Sequence, residues 1–289
     1  MFYPTALYKI ADPAFSLERT RTCELRLMIA ERSLQLAVYD PLTAAFPLVE
    51  KYSLENGYEH LKANEVLARI FQTHPLTRSV FNEIEIIFEN NFKTLVPVAF
   101  FDAEKVNEIL HFNFDLEDSF IFKDDFVKII DAHLVFGFKE NLNTVIKSVF
   151  NQVKIKHYAT FLFQHIFSHN KLATAVYVYV HDFSFDIIYI NDFKLQFYNT
   201  FNFQNSDDFL YFVLAVFHEH DLNRELIPLR LFGEIEKGSS IFEAIYEFVR
   251  DVDIFTTEYE PAIPVFADES NNLKSEFTSI LLHPSYENY

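Results

Sequence analysis

Glycine is nearly missing from this chain, with 4 in 289 residues, where an average protein carries about 7%. Loops that cradle phosphate use glycine so that backbone N–H groups can turn toward the anion with no Cβ in the way. Few such loops can be built here, and no G-x-S-x-G, P-loop or G-x-G-x-x-G is present. Cysteine is scarcer still: Cys23 stands alone, which excludes an intrachain disulfide. Tryptophan is absent, although 35 Phe and 15 Tyr are present. Positive charge is short, with 24 Lys and Arg against 42 Asp and Glu, a net charge of −18. Affinity for nucleic acid comes largely from Lys and Arg, so no nucleic-acid partner is expected. An anionic membrane surface would repel the chain. Long apolar runs are missing too. Even FLYFVLAVF (209–217) falls well short of the roughly 18 residues that span a bilayer. The opening MFYPTALYKIADPAF lacks the basic start and small-residue cleavage site of a secretory signal. The expectation is a cytoplasmic protein with no membrane insertion.

What is present is a large apolar share. Half of the residues are hydrophobic, enough for a sizeable core, and the length suits two compact lobes or one large domain. Residues 1–20 read as an arm. From Cys23, CELRLMIA alternates, a short ERS turn follows, and LQLAVYD and AFPLVEKYSL continue an antiparallel meander. GYEHLKANEVLARIFQTH carries a helical stripe of Leu61, Val66, Leu67, Ile70 and Phe71 that ends at His74-Pro75, and FNEIEIIFEN returns as a strand. The second half repeats the order. TAVYVYVH, FDIIYIND with an Asn191-Asp192 turn, and KLQFYNTFNF read as strands. SDDFLYFVLAVFHEH reads as a helix capped by Ser206, LIPLRLF as a strand, and SSIFEAIYEFVRDV as a helix capped by Ser239 or Ser240. Between the two, FIFKDDFVKIIDAHLVFGF supplies strands, and ENLNTVIKSVF and KHYATFLFQHIF supply helices. This divides the chain into the arm, a lobe over 21–150, a lobe over 151–256, and an acidic tail over 257–289 that includes the helix-like NLKSEFTSILL. The fold class is α/β with mixed sheets, duplicated within one chain.

Three strands, helix, strand and helix, given twice, resemble the plan of the actin-like ATPase fold, which is ribonuclease H-like. FKTLVPVAFFD (92–102) is similar to a segment of actin-like pilus-assembly proteins. KLQFYNTFNFQNSDDFLYFVLAVF and PLRLFGEIEKGSSIFEAIYEFVRDVDIF resemble a bacterial family of unknown function that has this fold. The likeness covers roughly residues 20–256. It implies a fold with two lobes and a central cleft far more than it implies an activity.

In active members of that fold, a D-x-G-T/S turn in each lobe holds the nucleotide phosphates and a metal. By that resemblance, the first-lobe turn here is IAERSLQLA, with Glu31-Arg32 where the phosphate would approach, and the second is VHDFSFDII. Asp182, Ser184 and Asp186 keep some of the polar character. Phe183 and Phe185 stand where small residues would be needed. The reading is a hairpin whose Phe residues pack inward and whose Asp residues are solvated. Gly233, in LFGEIEKGSS, is the one glycine where the resemblance wants one; its structural role would be a strand-to-loop turn with positive φ. His165 and His169 are four apart, and His218, His220 and Asp221 cluster, but no HExxH glutamate and no nearby Cys complete a zinc set, so no metal is expected. The expectation is a non-catalytic relative of the actin-like ATPases that binds no cofactor and works through a protein partner. Tyr198 and Tyr211 are the candidate contacts, since tyrosine is enriched at interfaces. Two alternatives stand: a divergent Mg-ATP binder using Asp182 or Asp186, and a carboxylate-dependent nuclease on the same strand order.

Overall fold

The structure, a computed structural model, describes residues 4–55, 62–116, 119–255 and 280–281. They form two compact units, the first made of the described residues up to His165 together with 280–281, the second of those from Ile166 to 255.

In the first unit, β1 (Tyr8–Ala11), β2 (Glu24–Ile29), β3 (Ser33–Asp40) and β4 (Ala45–Ser53) precede α1 (Ala63–Thr73) and β5 (Glu83–Phe88). Then come β6 (Lys93–Pro97), α2 (Val106–Asn113), β7 (Phe120–Val127), β8 (Ala132–Lys139), α3 (Glu140–Val149) and β9 (Lys154–His157). The main sheet has the order β1-β4-β3-β2-β5-β9. The pairs β1–β4, β4–β3 and β3–β2 are antiparallel, and β2–β5 and β5–β9 are parallel. β6, β8 and β7 form a separate antiparallel sheet. Helix α1 buries Val66, Leu67, Ile70 and Phe71 against Leu25, Leu27, Leu36 and Val38 of the main sheet. That apolar stripe is what holds an eleven-residue helix, marginal on its own, in place.

Helix α4 (Tyr158–His169) leads into the second unit, where β10 (Ala175–Val180), β11 (Ser184–Asn191) and β12 (Lys194–Asn202) precede α5 (Ser206–Glu219). β13 (Leu229–Gly233), α6 (Ser240–Tyr246) and β14 (Val252–Ile254) complete it. The sheet order is β12-β11-β10-β13-β14: antiparallel twice, then parallel twice. Apart from β1, this is the strand order and direction of the first main sheet. Val176, Val178, Val180, Phe185 and Ile187 face α5 and α6, burying Phe209, Val213, Phe217, Phe242 and Ile245. The intervening Tyr177, Tyr179, Asp186 and Ile188 are also buried, so the VYVYV alternation is one of shape rather than of wet and dry faces.

Several expectations are corrected. The division falls at His165/Ile166 rather than at 150/151, because β9 pairs in parallel with β5 and belongs to the first sheet. The segment 1–20 is more than an arm, since Tyr8–Ala11 zips onto β4 as an edge strand. The cap of α5 is Asn205, whose side chain accepts from the N–H groups of Asp207 and Asp208, one residue before the expected Ser206. The tight turn after β11 is Asp192-Phe193, both at positive φ, rather than Asn191-Asp192. Leu61 and most of NLKSEFTSILL lie outside the described residues.

Candidate functional site

The second-unit hairpin closes abruptly. Only His181, Asp182 and Phe183 separate β10 from β11, and the His181 N–H donates to the Ser184 carbonyl at 2.8 Å. Asp182 and Phe183 form an exposed tip, Ser184 is half-buried, and Phe185 and Asp186 are fully buried. The sequence reading is thus corrected on two counts: Phe183 points to solvent while Phe185 packs inward, and Asp186 is enclosed rather than solvated. Asp182 stands at the exposed tip and Ser184 is half-buried, whereas Asp186 is enclosed. The two-residue period of the strand sends Phe185 to the helix side and Asp186 to the opposite face.

On that face Asp186 is the hub of a polar cluster. Register places Thr200 of β12 directly opposite it and Tyr198 opposite Ile188, two residues along. Thr200 Oγ1 donates to Asp186 Oδ1 at 2.5 Å, and the Tyr198 hydroxyl reaches the same oxygen at 3.3 Å. His181 Nε2 lies 3.1 Å from Oδ2 and donates when it carries the proton. Both carboxylate oxygens are therefore held by side chains of the hairpin turn and of the neighbouring strand, which is how a buried acid avoids a large desolvation cost. The same face carries Tyr177, whose hydroxyl donates to Asn170 Oδ1 at 2.6 Å and whose pKa burial pushes up to about 12.

Gly233 ends β13 beside this hairpin. Its φ is +91°, and a Cβ there would sit 2.3 Å from the Val180 carbonyl oxygen. That oxygen accepts from the Glu234 N–H at 2.9 Å. The glycine is fixed by the approach of its own neighbouring strand, so its position has a backbone cause before any ligand is invoked.

The corresponding turn of the first unit, between β2 and β3, exposes Glu31 and Arg32. Ala30 N–H donates to the Ser33 carbonyl at 3.0 Å, and Arg32 Nε lies 3.4 Å from Glu55 Oε1. Among the described residues, no group of three or more His, Cys, Asp or Glu side chains is placed to hold a metal. His220 packs against the rings of Tyr189 and Phe197. Tyr211 is 68% exposed on α5, whereas Tyr198 is half-buried with its hydroxyl on Asp186. The sequence reading missed His181 and Thr200. The Thr200 link to Asp186 depends on strand register and the His181 link on the hairpin closing between β10 and β11.

A family described as "Protein of unknown function (DUF3822)" matches residues 12–252. No curated protein matches the chain. Among solved structures, the chain is similar to a Bacteroides thetaiotaomicron protein "with actin-like ATPase fold and unknown function": TM-score 0.76, 16% identity, covering 91% of this chain and 98% of that one. It is also similar to a chain of the "PilM-PilN type IV pilus biogenesis complex", with a TM-score of 0.53 and 10% identity over 90% of this chain and 96% of that one. At these identities the likeness concerns the fold, and that fold is the actin-like ATPase fold.

Proposed function

The chain belongs to the DUF3822 family of proteins of unknown function and has an actin-like ATPase fold; from this we propose that it is a non-catalytic member of that fold, acting through contacts with a protein partner. The observation that carries the reading is the state of Asp186. It is 0% exposed, with both oxygens engaged by Thr200, Tyr198 and His181, so a metal or phosphate-bound cation would have to displace three donors. The short tip at Asp182-Phe183 and the exposed Glu31-Arg32 pair support it further, since neither turn offers glycine N–H groups to an anion. The matching order of the two main sheets supports an origin by duplication. A relative in fold was solved as a PilM–PilN complex, which supports a protein as the class of partner. The same reading takes the cytoplasm as the compartment in which the protein acts.

A thermal-shift series with Mg-ATP tests this. A ligand at 100 times its Kd stabilises the folded state by about 2.7 kcal/mol. We expect no shift and no phosphate release at millimolar Mg-ATP. A saturable rise in melting temperature would favour the divergent Mg-ATP-binding alternative instead.

A further inference from the structure

Helices α1 and α5 occupy the same place in their respective sheets: each follows the third strand of the meander and precedes the first parallel strand. Their outward faces differ in chemistry. α1 turns Glu65 and Gln72 to solvent, as an amphipathic surface helix should. α5 runs FLYFVLAVF (209–217) without a charged residue. Phe209, Val213, Val216 and Phe217 are buried inward, leaving Tyr211 68% exposed on the opposite side and Leu214 half-buried at the flank, where it also packs against the core. The neighbouring α6 and the turn after it add Tyr246 and Phe248, 58% and 43% exposed. A helical stretch that is apolar all round is normally covered on every side, and apolar side chains left exposed on two helices packed together offer a partner a surface.

Charge says what covers it. Neither α5 nor α6 contains a Lys or Arg, while Asp207, Glu219, Glu243 and Glu247 are exposed on them or just beyond. The nearby Arg250 is engaged by Glu225 at 3.4 Å. A second copy of this chain would bring the same acids, and residues 257–289 carry six acidic residues against one Lys; both are opposed by like charge. Building on the reading above that a protein is the partner, we propose that the outer face of α5 and α6 docks a basic, amphipathic segment of that partner. Its apolar side would lie on Tyr211 and Leu214, and its Lys or Arg residues would meet the acidic rim.

The probe is a fluorescein-labelled synthetic helix with Leu at i, i+3, i+4 and i+7 and Lys elsewhere, read by anisotropy with the full chain at about 0.15 M salt. Its counterpart with Glu in place of Lys is the control. The Lys peptide should bind saturably and the Glu peptide should not. Tyr211→Ser with Leu214→Ser should weaken binding at least about tenfold, and so should Glu243→Lys with Glu247→Lys. Glu108→Lys with Glu140→Lys makes the same change in net charge on the first unit and should leave binding within about twofold. The exposed charge pair keeps the test valid if the α5 variant melts. Equal losses from the two charge pairs would mean binding to bulk charge and would overturn the proposal. So would a wild-type dimer in sedimentation that the Tyr211 and Leu214 changes split, because a second copy would then be the occupant. The outcome is separable from the non-catalytic reading: Mg-ATP binding alongside mapped peptide binding refutes only that reading, and unmapped binding without Mg-ATP refutes only the docking face.

Discussion

Gly233 and Gly238 both have positive φ, +91° and +87°, yet they should respond differently to the same substitution. A Cβ on Gly233 meets the Val180 carbonyl oxygen, whereas one on Gly238 meets nothing within 4 Å. Gly238→Ala therefore carries only the left-handed backbone penalty of about 1–2 kcal/mol. Gly233→Ala adds a collision with strand backbone and should cost about 3 kcal/mol or more, a difference that paired urea melts resolve. Asp186 makes a second contrast. Asp186→Ala strips the acceptor from His181, Tyr198 and Thr200 and should cost about 2–3 kcal/mol, while Tyr198→Phe removes one long hydrogen bond and should cost about 1 kcal/mol or less. Equal effects in denaturant melts would mean that Tyr198 packs for reasons unrelated to the carboxylate. Residue identity alone did not reveal this cluster. Asp186 reads as a solvated turn acid until β12 is laid beside β11 and Thr200 arrives opposite it.

Elements were more legible, because periodicity survives where pairing partners are unknown. The alternation in CELRLMIA and LQLAVYD, and the stripe of Val66, Leu67, Ile70 and Phe71, correspond to β2, β3 and α1. What failed was decided by contacts distant in sequence: β1 exists because β4 offers an open edge, and β9 because β5 does. The β1 edge is latched chemically as well. Lys9 Nζ lies 2.8 Å from Glu50 Oε1, and His74 Nε2 and the Tyr52 hydroxyl reach Glu50 Oε2 at 2.7 and 2.9 Å. Burial alone would raise the Glu50 pKa, but the hydrogen bonds from His74, Lys9 and Tyr52 outweigh it and bring it from 4.5 down to about 2. A carboxylate held below its unfolded value stabilises the fold fully above that value, and the contribution is lost as pH falls toward the folded one. Glu50→Gln should therefore be less stable than wild type by on the order of 3 kcal/mol at neutral pH, with the gap closing between about pH 4.5 and 2. A gap that stays constant down to pH 2 in paired melts would contradict the latch. The turn after β11 gives the opposite sign. Asp192 and Phe193 both lie at positive φ, and Phe193 is 55% exposed, so it loses little packing when replaced. Phe193→Gly should raise stability by about 1 kcal/mol, because the left-handed hairpin turn favours glycine at that place.

For the molecule as a whole, the order of elements carried more than any motif. Strand-strand-strand-helix-strand read twice from hydrophobic pattern matches two sheets of the same order and direction, in a fold shared with a structure at 16% identity. The scarcity of glycine bears directly on function, because it limits where backbone can close on a phosphate, and Gly233 already has a steric duty to Val180. The enclosure of Asp186 was not legible from that scarcity, and it is what turns a sequence lacking phosphate loops into a specific claim about a blocked acid. The most direct measurement is a calorimetric binding isotherm for Mg-ATP and Mg-ADP on the full chain. No heat of binding should appear, with any Kd weaker than about 100 μM, an affinity of about −5.5 kcal/mol. A stoichiometric isotherm tighter than that, lost in Asp186→Asn, would show that the carboxylate exchanges its sheet partners for a nucleotide-bound cation and would contradict the non-catalytic reading.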